Sequence, residues 1–180
     1  MPAAQTTRHV ILSGCSGGGK TTLMAELARR GYRTVPEPGR RIVAEEMRGS
    51  GRALPWRDLG AFARRALDMA IADRAALEGS EEWTFFDRGM IDAAAALSHA
   101  TDQQVEDLLI GQARFHEQVF LTPPWPEIFA TDAERQHDLA EATREYDRLR
   151  DAFGRLGYTP IILPRTTVAA RADLVVSHLD

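Results

Sequence analysis

Two periods of hydrophobic and polar residues alternate along the chain. Short apolar runs read as buried strands at Arg8–Ser13, Tyr32–Val35, Trp83–Phe86, Gln118–Leu121 and Thr159–Leu163. Between them, apolar residues recur at threes and fours, the spacing of a helix with one buried face. Lys20–Arg30 puts Leu23, Leu27 and Ala28 on one side and stops at Gly31. Arg40–Arg48 looks helical, and Asp58–Glu78 lines up Leu59, Phe62, Ala63, Ala66, Leu67, Ala70 and Leu77. A further helix starts near Met90, with Gln103–Ile110 continuing helical. Asp138–Leu156 is the most regular, with Leu139, Ala142, Tyr146, Leu149, Phe153 and Leu156 in register, and Val168–Leu179 is the last. Pro36-Glu-Pro-Gly39, Gly49–Pro55 and Pro123–Pro126 break these elements apart.

Five strands alternating with helices predict an α/β fold. The expected architecture is a three-layer sandwich, a five-stranded parallel sheet with helices on both faces. Ligands in such folds sit beyond the carboxyl ends of the strands. A length of 180 residues suits one domain over residues 1–180.

The glycines of Gly14-Cys-Ser-Gly-Gly-Gly-Lys-Thr21 fall between the first strand and the first helix, in the pattern G-x-x-x-x-G-K-[ST]. Glycines let successive amides turn inward around an anion, and the helix start adds partial positive charge. Gly14, Cys15, Ser16, Gly17, Gly18, Gly19, Lys20, Thr21 and Thr22 are therefore the expected binding residues for a nucleoside triphosphate. Lys20 would reach the terminal phosphates, and the Thr21 hydroxyl would ligate Mg²⁺. The Cys15 side chain is read as incidental, because backbone does the binding there.

Composition sharpens this reading. Lys20 is the only lysine, and asparagine is absent. The site needs a compact ammonium, which arginine's planar fork does not supply. The missing asparagine rules out the N-K-x-D guanine motif of classical GTPases. A net charge of −4 argues against nucleic acid as the main partner. No apolar run approaches the roughly 18 residues of a membrane span, and the N-terminus lacks a signal-peptide core, so a cytoplasmic protein is expected. With Cys15 the single cysteine, an internal disulfide is impossible. The five histidines show no metal-type spacing and are read as solvated or capping.

Acids at two strand ends carry the candidate chemistry. Asp87 follows the third strand, where a carboxylate can hold Mg²⁺. Arg88 follows it, where hydrolytic motors place a water-activating glutamate. A cation there stabilises transferring charge, which favours phosphoryl transfer over hydrolysis. Glu37, between Pro36 and Pro38, is the candidate to orient or deprotonate an acceptor hydroxyl. The segment at about 123–138 reads as a lid, with Arg135 the arginine that closes over phosphates. Glu141, Arg144, Glu145, Arg148, Asp151 and Arg155 alternate in sign and are read as a solvated helix face. Trp56 and Phe62 are read as core or loop aromatics in preference to an acceptor-stacking pair. The adenine loop is expected near Pro164–Val168.

These residues carry a family resemblance. Gly14–Thr22, Glu37-Pro-Gly-Arg40, Pro55-Trp56, Phe86-Asp-Arg-Gly89, Pro123-Pro-Trp-Pro-Glu127, Asp132-Ala-Glu-Arg135 and Gly157-Tyr158 together resemble the small P-loop ATPase/kinase family of AAA type. That family includes the ribosylnicotinamide kinase domain of the bacterial NAD-biosynthesis regulator. Glu37-Pro38 and Asp87-Arg88 are also similar to the Glu-Pro and Asp-Arg pairs of deoxynucleoside and thymidylate kinases. The resemblance implies a P-loop fold that uses ATP, with Glu37 as general base. The expected function is a Mg²⁺-dependent kinase for a small hydroxyl acceptor such as a nucleoside or nucleotide. A nucleotide-binding regulatory switch, or an ATPase without a small acceptor, is the alternative. The acceptor and the oligomeric state are left open.

Overall fold

The structure is a computed structural model that describes residues 7–129 and 138–179. Strands β1 (His9–Gly14), β2 (Arg33–Val35), β3 (Thr84–Asp87), β4 (Gln118–Thr122) and β5 (Thr159–Ile162) form one sheet in the order β2-β3-β1-β4-β5. Every pairing is parallel, with Leu12 beside Asp87 and Gly14 beside Thr122. The chain fills the sheet on one side of β1 and then crosses to the other. The order thus reverses at β1, and the glycine-rich loop leaves from its carboxyl end.

Seven helices complete the described fold: α1 (Lys20–Arg29), α2 (Pro38–Arg48), α3 (Leu59–Ala75), α4 (Met90–Ala100), α5 (Val105–Leu108), α6 (Leu139–Arg155) and α7 (Val168–Val176). Alternation within the strands divides the core in two, because neighbouring strand residues face opposite ways. Val10, Leu12, Phe85 and Phe120 pack under α1 and α7. Ile11, Phe86, Val119 and Leu121 pack under α3, α4 and α6. The three-layer sandwich expected from the sequence is the fold observed.

The boundaries differ where local chemistry is strong. Helix α2 starts at Pro38, two residues before the expected Arg40, because proline's fixed φ suits a first helical position. The Gln103–Ile110 stretch shortens to α5, and α3 gives way after Ala75 to turns running to Gly79 at φ 79°. Two histidines correct the expectation that all five are solvated or capping. His9 is buried in β1, its Nδ1 3.0 Å from Thr7 Oγ1 and its ring edge-on to Phe86. His116 is buried against Trp83 and accepts the Gln118 amide at 3.2 Å. Both sit where a strand enters the sheet, so the packing of neighbouring aromatics encloses them.

Candidate active site

The glycine-rich loop needs its glycines for space as well as for turning. Gly14 has φ 118°, and a Cβ there would run into the backbone of Thr122 on β4. A Cβ on Gly18 would lie 2.8 Å from Thr122 Oγ1 and 2.9 Å from the Pro123 carbonyl. The Cys15 amide donates to the Thr122 carbonyl at 2.7 Å, and its thiol to the Ser16 carbonyl at 3.4 Å. Both donors of Cys15 are thus engaged within the scaffold, and burial pushes the thiol up to about 11. The Gly18 amide closes a turn onto the Cys15 carbonyl at 3.0 Å. The Thr22 hydroxyl donates back to the Gly19 carbonyl at 2.9 Å, while Thr21 lies exposed at the cavity edge.

Around this loop the expected charged residues come together from separate strand ends. Lys20 Nζ lies 2.9 Å from Asp87 Oδ1 and 3.9 Å from Glu37 Oε2. The Asp87 contact is an ion pair without hydrogen-bond alignment, so that buried oxygen has no hydrogen-bond partner among the described residues. Glu37 occupies the N-cap position of α2 without a side-chain capping bond, and its carboxylate stands between cations, 3.4 Å from Arg40 Nε and 3.7 Å from Arg88 Nε. Arg88 turns the chain out of β3 with φ 60°, a conformation a non-glycine residue adopts only under tertiary constraint. Its guanidinium donates to the Gly14 carbonyl at 3.2 Å and to Glu145 at 2.7 Å. Burial works against that charge, but Glu145, Glu37 and Asp92 outweigh it and hold the group above its ordinary range.

Some of these partners were not anticipated. Sign alternation predicts a solvated helix face for Glu145; instead it reaches Arg88 from α6, and Glu141 and Arg148 line the same cavity. Helical spacing reveals which residues share a face but not what that face meets. Asp92 was not singled out at all. It accepts a hydrogen bond from the Ser13 hydroxyl and another from the Gly89 amide at 3.0 Å, and lies 3.7 Å from Arg88. Burial raises its carboxyl to about 6, against the opposing pull of Arg88 and those two donors. The available signal was one acid inside the apolar run Met90–Leu97. Arg135 lies outside the described residues, as does half of the expected lid; the 3₁₀ turn Pro126–Ile128 lies in the described part of that segment.

The loop opens into a cavity of about 430 Å³. Lys20, Thr21, Glu37 and Arg88 border one part of it, while Trp56, Leu59 and Phe62 contribute apolar wall. Phe62 packs against the core and Trp56 lies in a turn, as expected, and both rings also face the chamber. Such a mixture suits a small molecule with an apolar body and a few polar groups. For a divalent cation, the hard donors nearest the loop are the Thr21 hydroxyl at the cavity edge and the Asp87 carboxylate at the end of β3, whose Oδ1 is ion-paired with Lys20. Among the described residues no group of three or more His, Cys, Asp or Glu could hold a metal. Two oxygens with room for phosphates and water fit Mg²⁺, which keeps most of its own waters, better than a metal needing a protein cage.

Fold and loop together define a P-loop protein with a kinase-like α/β architecture. The chain belongs to the family described as an AAA domain, which matches residues 9–171. No curated protein matches this sequence. Among solved structures, the chain is similar to a deoxyadenosine kinase from M. mycoides with bound dATP. The TM-score is 0.70 at 14% identity, covering 95% of this chain and 98% of that one. The same enzyme with the products dCMP and dCDP bound gives a TM-score of 0.65 at 14% identity, covering 95% and 97%. At such identity the likeness carries the fold. No helix among the described residues is long and apolar enough to cross a membrane.

Proposed function

We propose that this protein is a Mg²⁺-dependent kinase that transfers the γ-phosphate of ATP to a hydroxyl of a small acceptor, such as a nucleoside or nucleotide. The observation that carries this reading is the 430 Å³ chamber, bordered by both the phosphate-loop lysine and an aromatic wall. A nucleotide switch or a water-only ATPase has no need of a room for a second small molecule at the transfer point.

In this reading the loop amides and Lys20 hold the phosphates, and Lys20 and Arg88 stabilise charge on the moving phosphoryl group. Thr21 and Asp87 would hold the magnesium ion, which supplies charge neutralisation of the phosphate oxygens. Glu37 orients the acceptor hydroxyl and takes its proton as the oxygen attacks. Glu145 and Asp92 position the Arg88 guanidinium. Arg135 is proposed to approach from the lid segment. Residues 1–180 are proposed to act as one domain.

The test is ADP release from Mg²⁺-ATP with a panel of nucleosides, nucleoside monophosphates and nicotinamide riboside, with Lys20→Ala as control. One acceptor should raise the rate at least about tenfold above the water background, with the stimulation abolished in Lys20→Ala. Tight ATP binding with no response to any acceptor would favour the regulatory-switch reading instead.

A further inference from the structure

Arg171 occupies an unusual place for a charged residue. It belongs to α7, far along the chain from the glycine-rich loop, and its side chain is 3% exposed. Its guanidinium stacks over the Trp125 ring at 5.4 Å from the ring centre. Nη1 lies 3.4 Å from the Gly18 carbonyl and 3.2 Å from the Gly19 carbonyl. A Cβ on Gly19, whose φ is 82°, would stand 2.9 Å from the same nitrogen. No carboxylate among the described residues pairs with this guanidinium, and its buried Nε has no hydrogen-bond partner there. Burial holds the group below its ordinary range, but an arginine stays charged.

A buried cation without a carboxylate is expensive unless something negative is near. The peptide geometry shows where that is. In a trans peptide the carbonyl of one residue points opposite to the amide N–H of the next. Drawing the Gly18 and Gly19 carbonyls toward Arg171 turns the Gly19 and Lys20 amides the other way, toward the inside of the loop. Neither amide donates to a backbone carbonyl among the described residues.

We propose that Arg171 is a positioning residue for the donor phosphates: from behind the loop it fixes two peptide planes so that the Gly19 and Lys20 amides face the phosphate chain, and it adds a buried positive charge there. Trp125 holds the guanidinium flat against the loop. The ligand it serves is the polyphosphate, whatever base is attached. The proposal rests on the phosphate-loop reading and adds a residue outside the motif.

The test compares Arg171→Gln and Arg171→Lys with the unaltered chain. Dissociation constants are measured for ATP, GTP and inorganic tripolyphosphate, alongside the melting temperature without ligand. Arg171→Gln should weaken all three ligands by a similar factor, roughly tenfold for one lost charge-assisted contact. Arg171→Lys keeps the charge without the fork and should lie between. Should Arg171→Gln fail to fold, the same comparison on Arg171→Lys and Trp125→Leu decides, with a smaller shared loss expected. Loss of ATP affinity with tripolyphosphate unchanged would overturn the proposal in favour of a base contact. A lower melting temperature with all affinities intact would reduce Arg171 to a structural role. Failure of the unaltered chain to bind tripolyphosphate would instead sink the phosphate-loop reading itself.

Discussion

The glycine-rich loop and the chamber beside it are built on opposite plans. The loop is nine consecutive residues, Gly14–Thr22, and the groups proposed to bind phosphate there are chiefly backbone amides. The chamber shares the loop as one border, and the rest of its wall is assembled chiefly from side chains on α2, α3, α4, α6 and the Pro55-Trp56 turn. A backbone site tolerates little variation in the chain that forms it. A side-chain site can change its occupant while the fold stays the same. Sharing the fold of a deoxyadenosine kinase at 14% identity is therefore compatible with a different acceptor.

The comparison breaks most visibly at Glu37, on the chamber side. Glu37→Gln should lower acceptor-dependent turnover by about 10²–10⁴-fold, the usual worth of a general base, and leave ATP affinity close to that of the unaltered protein. Steady-state kinetics with an ATP titration reads both. Turnover that survives the change would remove the general-base role.

On the loop side, backbone crowding should dominate. Gly14→Ala combines a left-handed φ of 118° with a clash against Thr122, and should destabilise the fold by about 3 kcal/mol or more. Gly31→Ala shares the left-handed backbone, φ 94°, but meets nothing within 4 Å and should lose about 1 kcal/mol. Urea unfolding of the pair separates crowding from conformation. Equal losses would mean that the close approach of β4 is unimportant.

Away from both regions, His9 provides a pH test of the scaffold. Burial, with help from Arg74 and Arg33, lowers its ring to about 4. The unfolded chain, near 6.5, takes up the proton first. Stability present above about pH 6.5 should therefore fall as the pH drops toward 4, by up to about 3 kcal/mol. Asp92 acts in the opposite sense: its folded carboxyl, raised to about 6, favours the folded state as the pH falls from about 6 toward 4. His9→Gln should flatten the first slope and Asp92→Asn the second in denaturation followed across pH.

The smallest expected effect sharpens the chamber side. Trp56→Ala should raise the acceptor KM roughly tenfold, with the KM for ATP little changed, as the proposed contact between the acceptor and the aromatic wall requires. An equal rise in both would mean that the ring shapes the loop.

Much of the fold was legible because strands and helices carry their periods locally. The parity of Val10, Ile11 and Leu12 even allots successive side chains to the two cores. That Glu37, Asp87 and Arg88 would come together beside Lys20 was legible because each follows or ends a strand of a parallel sheet, whose carboxyl ends lie side by side. The sequence reads Trp56 and Phe62 as core or loop aromatics because hydrophobicity does not reveal that the same rings also line a chamber. Sign alternation on α6 is the same whichever side the helix turns inward, so it places Glu145 in solvent when the fold places it against Arg88.

The sequence by itself determined the glycine-rich loop, the order of strands and helices, and the acids and arginine that end β2 and β3. Each is encoded in a window of a few residues, through backbone freedom, hydrophobic period or one strand boundary. Only the tertiary structure decided that Arg88 meets Glu145, 57 positions away, and that Arg171 reaches Gly18 across 153. It also decided that Asp92 lies beneath the loop against Ser13. Those meetings depend on which helix lies over which strand. That choice follows from burying apolar faces across the whole sheet, and no local stretch of sequence contains it.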